Sequence, residues 1–341
     1  MAFKLIARGD TGLYLSSGET SDSQVKSIDS SKTCKVIKFN HKGTKLAWSD
    51  GKSVKIQDLS NDKVTSIPVE KTQFLQWSPQ DNFLSTWEVY AVKNGQKAEA
   101  NCRIWTSCGE LKFQFIQRKA DGWEPRWSQD ENLVAIRTMN NEVAYYQGQN
   151  FENFTKKLSL AKMDSFSTSP NLNHIVAFVP GSKGNPGFAK LFAYPNFNVE
   201  KDAIAFKSSM LADKMEAKWS HNSQNVLLLM QAEVDKTGSS YYGKTQLHSM
   251  DIQGETAFMQ LPKDGPIYHV SWAPDKAQFC VVYGFMPAKA TLFDKRGEKL
   301  FDFGTGPRNL ALFNPQGNLL MLGKILTFIQ EIKASTQIPC F

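Results

Sequence analysis

The stretch WSPQDNFLSTW, which begins at Trp77, decides the fold of this chain of 341 residues. It opens with an aromatic residue, continues through Ser, Pro, Asp and Asn, and resumes with apolar and β-branched residues from Phe83. Ser, Pro, Asp and Asn favour tight turns, whereas aromatic and β-branched residues favour strands. The stretch therefore predicts two strands joined by a short turn, which is a β-hairpin.

The same pattern recurs along the chain in seven copies, whose starts lie 38 to 53 residues apart. The copies are FNHKGTKLAW from Phe39, WSPQDNFLSTW from Trp77, WSQDENLVAI from Trp127, TSPNLNHIVAF from Thr168, WSHNSQNVLLL from Trp219, WAPDKAQFCVV from Trp272 and FNPQGNLLML from Phe313. A further strand follows most copies. A period of about 40 residues that carries four strands is typical of WD-type β-propeller blades. We therefore predict an all-β, WD-type β-propeller with about seven blades, the last one incomplete, and we expect the aromatic residues that open the copies to be buried.

The composition sets limits on function. Lys and Arg exceed Asp and Glu by 40 to 33, which gives a net charge of +7, but no dense basic block appears, so contact with nucleic acid is permitted rather than required. The five cysteines form no C-x-x-C pair, and we expect neither a metal nor another cofactor. No signal peptide and no apolar run of about 18 residues is present, so we expect a cytoplasmic protein without a membrane partner.

One motif points to an enzyme. The segment GSSYYGKT, Gly238 to Thr245, matches the phosphate-binding loop G-x-x-x-x-G-K-[ST]. That loop works at the start of a helix, whereas the residues that follow here, TQLHSMDIQGE, predict a strand. We interpret the segment as a hairpin connection, and no Ser-His-Asp or Cys-His arrangement is recognisable from the spacing. The sequence therefore predicts a protein that is not an enzyme.

Basic residues occur at one position of the repeat. Lys38, Arg126 and Lys218 directly precede the opening aromatic residues of the first, third and fifth copies. If the strand registers are identical, these charges lie on related surfaces and are candidates for contact with RNA or the ribosome. The alternative, which we favour, is local pairing, because Glu124 and Glu216 lie two residues earlier on the same strand faces.

Several longer strings resemble the eukaryotic translation initiation factor 2A family, and the resemblance extends from Leu13 to about Gly323. The strings are PGSKG from Pro180, YPNF from Tyr194, DKTG from Asp235, SYYG from Ser240, QLPKDGPIYHVSW from Gln260, VYGFMPAKAT from Val282 and FDFGTGPRN from Phe301. The resemblance implies a propeller of nine blades, and it implies no catalytic residue.

The resemblance also implies a function. It implies a non-catalytic factor that docks on the small ribosomal subunit and supports delivery of initiator tRNA in alternative initiation. Initiator tRNA, mRNA and other initiation factors are the further partners that it implies. Two alternatives remain: a propeller scaffold for protein–protein interaction without a direct role at RNA, and the related propeller of a subunit of initiation factor 3.

The end of the sequence departs from the family pattern. We expect propeller blades over residues 1–323 and a divergent tail over residues 324–341, which reads KILTFIQEIKASTQIPCF. We do not expect this tail to complete a normal propeller. The basic helical tail through which the family is thought to contact tRNA and mRNA has no counterpart in these residues, so the resemblance does not extend to contacts made there.

Overall fold

The computed structural model describes residues 3–18, 24–34, 36–92, 98–182, 184–210, 212–232 and 244–324. Every regular element in these ranges is a β-strand, and the paired strands run antiparallel, which confirms the predicted all-β fold class. The chain divides into two compact units. The first comprises residues 1–180 and 189–204, and the second comprises residues 181–188 and 205–341.

The first unit opens with a three-stranded sheet and continues with three four-stranded sheets. The three-stranded sheet contains β1 (Phe3–Gly9), β2 (Gly12–Gly18) and β3 (Gln24–Asp29). The next contains β4 (Ile37–Phe39), β5 (Lys45–Ser49), β6 (Val54–Asp58) and β7 (Val64–Ile67). The third contains β8 (Thr72–Trp77), β9 (Phe83–Glu88), β10 (Cys102–Thr106) and β11 (Leu111–Phe115). The fourth contains β12 (Arg126–Trp127), β13 (Leu133–Met139), β14 (Glu142–Gln147) and β15 (Lys156–Ser159).

A fifth sheet has strands in both residue ranges, and three sheets lie in the second unit. The fifth contains β16 (Ser165–Thr168), β17 (His174–Val179), β18 (Gly187–Ala193) and β19 (Ala203–Ser209). The second unit has β20 (Lys214–Trp219), β21 (Asn225–Gln231), β22 (Thr245–Asp251) and β23 (Thr256–Phe258) in one sheet. Its next sheet has β24 (Ile267–Trp272), β25 (Gln278–Tyr283), β26 (Ala288–Asp294) and β27 (Lys299–Gly306). Its last sheet has β28 (Leu310–Phe313) and β29 (Leu320–Gly323).

The seven predicted hairpins all form. Each copy supplies the first two strands of a sheet, as in the second copy, where β8 ends at Trp77 and β9 begins at Phe83. Six copies belong to four-stranded sheets, and the seventh has two strands within the described residues. The sheet β1–β3 precedes the first copy of the repeat. The predicted tail lies outside the described residues from position 325 onward.

The repeated turn explains why these short segments fold as hairpins. In the second copy the Ser78 hydroxyl accepts a hydrogen bond from Phe83 N–H at 2.9 Å and donates to the Phe83 carbonyl at 3.2 Å. The same bonds recur between Ser128 and Leu133, Ser169 and His174, and Ser220 and Asn225. Because both partners lie five residues apart, the turn closes through local contacts alone.

The aromatic residues that open the copies are not buried equally. Trp77, Trp127 and Trp272 are 2%, 8% and 5% exposed, as predicted. The prediction of burial is wrong for three others, because Phe39, Trp219 and Phe313 are only half-buried. Phe39 packs against a cluster that includes Leu13 of the three-stranded sheet, and Phe313 lies in the two-stranded one. We attribute the partial exposure of Phe39 to the smaller surface that a three-stranded sheet offers for covering it.

Neighbouring sheets are joined by tryptophan and carboxylate side chains. The first strands of successive sheets contact each other at β4 and β8, and at β20 and β24. Trp77 Nε1–H donates to the Lys38 carbonyl at 3.3 Å, and Trp272 Nε1–H donates to the Lys218 carbonyl at 2.8 Å. At the turns, Glu131 accepts hydrogen bonds from the previous turn, one of them from Gln80 N–H at 2.6 Å. These bonds fix the hairpins that begin at Trp77, Trp127 and Trp272 to the hairpins before them.

Asp81 makes the corresponding connection one sheet earlier. Its carboxylate accepts hydrogen bonds from the main-chain N–H groups of His41, at 2.8 Å, and Lys42, at 3.0 Å. Burial alone would raise the pKa of Asp81, but these bonds and the His41 side chain outweigh burial and hold the pKa below its usual range. Both carboxylates stand at the same position of the turn, and both residues take a left-handed conformation, with φ of 69° at Asp81 and 55° at Glu131.

Candidate interaction surfaces

The three basic residues of the repeat lie on the first strands of three different sheets. Lys38 is at the centre of β4, and its side chain is exposed. Within the described part of the chain, no ion pair involves Lys38, so its charge is available at the surface. The sheet β8–β11 lies between the sheets of Lys38 and Arg126 in the chain order, and no bond among the described residues joins these two side chains.

Arg126 and Lys218 are both neutralised locally. Arg126 forms an ion pair with Glu124 at 2.9 Å, and Lys218 forms one with Glu216 at 2.5 Å. All four side chains are more than a third exposed, so the pairs contribute little to stability, but they place a negative charge beside each positive one. Local pairing with a glutamate, the interpretation favoured from the sequence, therefore occurs at two of the three positions.

The segment that resembles a phosphate-binding loop has the wrong continuation. Residues Gly238 to Gly243 lie outside the described residues, but Lys244 and Thr245 are described, and Thr245 begins strand β22. A phosphate-binding loop would begin a helix at this point. The Thr245 hydroxyl, which would bind magnesium in such a loop, accepts a hydrogen bond from Ile267 N–H at 3.0 Å. The hairpin interpretation therefore fits this end of the segment.

Among the described residues, no group of three or more His, Cys, Asp or Glu side chains could hold a metal ion. His248 is the most buried histidine, at 4% exposure, and its ring lies beside that of Phe258, at 5.3 Å between ring centroids. No helix that could cross a bilayer occurs in the part of the chain that the structure describes.

A cleft of about 390 Å³ lies in the second unit, where the chain passes from β23 to β24. Its deeper wall is apolar and includes Leu247, Met259 and Ile267, which are 1%, 5% and 7% exposed. The outer wall carries two phenylalanine rings, Phe258 and Phe285, which are 53% and 50% exposed. Large apolar side chains with this exposure beside a concave surface are typical of interaction sites.

The loops around this cleft hold each other in place. Phe285 N–H donates to the Asp264 carbonyl at 3.0 Å, and Lys263 Nζ donates to the Pro287 carbonyl at 2.5 Å. Gly265 has a φ of 127°, and a Cβ atom there would lie 2.3 Å from the Phe285 nitrogen, so glycine is required for this close approach. The two loops therefore form a fixed border of the cleft.

The cleft is not apparent from the sequence. The relevant signal was present, because QLPKDGPIYHVSW and VYGFMPAKAT, two of the strings that carry the family resemblance, supply its borders. They contribute Lys263 to Ile267 from one string and Phe285 from the other. Sequence reasoning could not bring the two strings together, since the contact between them depends on the pairing of β24 with β25.

Comparisons with known proteins agree with the repeat and with the strings. A family model described as "Eukaryotic translation initiation factor eIF2A" matches residues 207–332. The chain is 36% identical over 308 residues to eukaryotic translation initiation factor 2A of Drosophila melanogaster. The aligned region covers 86% of this chain and 48% of the relative. The chain thus spans about half the length of that relative.

Solved structures support the propeller class. A crystal structure titled as the eukaryotic initiation factor matches with a TM-score of 0.80 and 28% identity, covering 94% of this chain and 78% of that one. The C-terminal WD40 domain of Sif2 matches with a TM-score of 0.54 at 10% identity, which bears on the fold alone. The predicted class, a WD-type β-propeller, is therefore confirmed.

Proposed function

Because this chain resembles eukaryotic translation initiation factor 2A over most of its length, we propose that it is a cytoplasmic translation initiation factor without catalytic activity. It binds the small ribosomal subunit and supports delivery of initiator tRNA in alternative initiation. Its further partners are initiator tRNA, mRNA and other initiation factors. The observation that carries the proposal is the 36% identity over 308 residues to the Drosophila factor.

The structure at the end of the segment that resembles a phosphate-binding loop supports a function without catalysis. Strand β22 begins at Thr245, where a phosphate-binding loop would continue into a helix whose N-terminus holds phosphate groups. The Thr245 hydroxyl is engaged by Ile267 N–H. Binding through loops and sheet surfaces is the mode of action that remains for this chain, and it is one that propellers use.

Sedimentation with purified small ribosomal subunits tests the proposal. We expect the full chain to pellet with the subunits, and we expect the bound fraction to fall as salt is raised, because contacts with RNA phosphates release counterions. A chain that stays in the supernatant at low salt, under conditions in which a full-length relative pellets, would show the proposal wrong.

The contribution of the repeat's basic residues is tested in the same assay. A triple variant with Lys38, Arg126 and Lys218 replaced by Ala should bind less, with Lys38→Ala carrying most of the loss because the other two side chains are already paired with glutamates. A matched triple variant at Lys112, Lys157 and Lys299, which lie on the fourth strands of their sheets, should bind like the parent. Equal loss in the two triple variants would assign the effect to net charge.

A scaffold for other proteins, without a direct role at RNA, is the second candidate. The ion pairs of Arg126 and Lys218 favour it, because they remove net positive charge from two of the three positions that could contact RNA. If this candidate is right, the chain should not pellet with small subunits alone and should pellet with them when other initiation factors are added. Sedimentation with and without the other initiation factors therefore separates the two functions.

A further inference from the structure

We propose that the cleft between Phe258 and Phe285 is a docking site for a linear peptide of a partner protein, one with a large apolar side chain flanked by acidic residues. The inference does not depend on ribosome binding. It rests on the shape, the apolar walls, the charge and the open strand edge of this cleft, all of which lie in the second unit.

The apolar walls determine the anchor of such a peptide. A volume of about 390 Å³ falls within the usual range of ligand sites, roughly 300–1,000 Å³, and can accept one or two large side chains. Phe258 and Phe285 are half exposed on the rim, and Met286 beside them is 47% exposed. Binding becomes more favourable when a partner's apolar side chain removes these exposed apolar groups from water.

The charges around the cleft determine what flanks the anchor. Lys244, Lys263 and Asp264 are the charged residues of the lining, so the cleft carries one net positive charge. Lys244 is exposed, and among the described residues none forms an ion pair with it. An acidic residue next to the apolar anchor complements Lys244, which favours encounter with acidic segments over basic ones.

An open strand edge explains why the partner is an extended peptide. Strand β23 has only three residues and pairs with His248 to Met250 of β22. Thr245 and Gln246 both pair with β21, and alternation along an antiparallel strand turns the main-chain N–H and C=O of Thr245 to the other side, where no described strand pairs with them. The cleft lies beside these two residues. An extended peptide can add to such an edge while its side chains enter the neighbouring cleft.

Single-stranded RNA fits the same cleft less well. Base stacking needs aromatic faces along a basic groove. Here the deeper wall is made by Leu247, Met259 and Ile267, and the carboxylate of Asp264 belongs to the lining. Aliphatic walls and a carboxylate suit an aliphatic or aromatic peptide side chain rather than a phosphate backbone.

Selection from a phage-displayed library of random linear peptides on the full chain tests the proposal. We expect enriched peptides to carry Trp, Phe or Leu next to Asp or Glu. In fluorescence anisotropy with a labelled enriched peptide, Phe285→Ala and Lys244→Glu should each weaken binding by about tenfold, which corresponds to about 1.4 kcal/mol. Two surface controls away from the cleft, Phe154→Ala and Lys52→Glu, should bind the peptide like the parent.

Three results would overturn the proposal. The first is a selection without enrichment, and the second is enriched peptides that bind the Phe285 and Lys244 variants like the parent. The third is displacement of the peptide by a uridine oligonucleotide whose own binding is lost in Phe285→Ala, since that would assign the cleft to RNA. Phe285 is half exposed and Lys244 is exposed, so we expect both variants to fold, and an unchanged circular dichroism spectrum would show it. None of these outcomes bears on sedimentation with ribosomal subunits.

Discussion

Replacing His248 should remove a loss of stability at acidic pH. His248 lies in the middle of β22 and is 4% exposed, and neither ring nitrogen has a hydrogen-bond partner. Burial, and to a lesser extent the charge of Lys207 on β19, lowers the pKa of His248 from 6.5 to about 4. The imidazole is therefore kept neutral in the folded protein at pH values where an exposed histidine is protonated.

The size of the effect follows from the two pKa values of His248. Above pH 6.5 the residue is neutral in both the folded and unfolded states, and its full contribution to stability is present. As the pH falls from 6.5 towards 4, the unfolded state binds a proton that the folded state does not, so stability is lost. We expect a loss of about 2 kcal/mol at pH 5 and about 3 kcal/mol at pH 4.

Urea unfolding followed by tryptophan fluorescence at pH 7.5 and pH 5 measures this loss. The His248→Leu variant should lose about 2 kcal/mol less than the parent between the two pH values, because leucine has no proton to bind. His248→Gln should also lack this part of the acid loss, but it should be less stable than His248→Leu at both pH values, since it buries an unpaired amide. His174 and His269, whose pKa values burial also lowers, contribute equally in all three proteins. If the parent and both variants lose the same stability at pH 5, the reasoning is refuted.

Other substitutions test the connections between sheets, the core and the absence of catalysis. Glu131→Ala should lower the free energy of unfolding by about 2 kcal/mol, because Gln80 N–H loses its buried acceptor; urea unfolding that matches the parent would contradict this. Trp272→Ala should cost about 3–5 kcal/mol by leaving a cavity, whereas the exposed Phe154→Ala should cost less than about 1 kcal/mol, as thermal unfolding would show. A phosphate-release assay should detect no ATP or GTP hydrolysis, and saturable nucleotide binding that Lys244→Ala abolishes would overturn this expectation.

The hairpins and their repetition were determined by the sequence alone. In the second copy the bonds that close the turn join Ser78 to Phe83, five residues apart, and the residues between them set the turn without help from the rest of the chain. Repetition of such a local unit identifies the propeller class, because each hairpin needs a neighbour to bury its apolar face. The ion pairs of Arg126 with Glu124 and of Lys218 with Glu216 belong to the same local order, since the partners lie two residues apart.

The contacts between sheets were decided by the tertiary structure. The bond from Gln80 N–H to Glu131 joins residues about fifty positions apart, and nothing in the turn pattern indicates that the glutamate reaches the previous turn. The cleft likewise needs Asp264 and Phe285, on either side of β24 and β25, to meet across the close contact at Gly265. The exposure of Phe39 depends on the sheet that happens to lie beside it. Local hydrogen bonds select a hairpin because few conformations compete with it, whereas contacts between distant residues depend on the packing of whole sheets, which short sequence patterns do not encode.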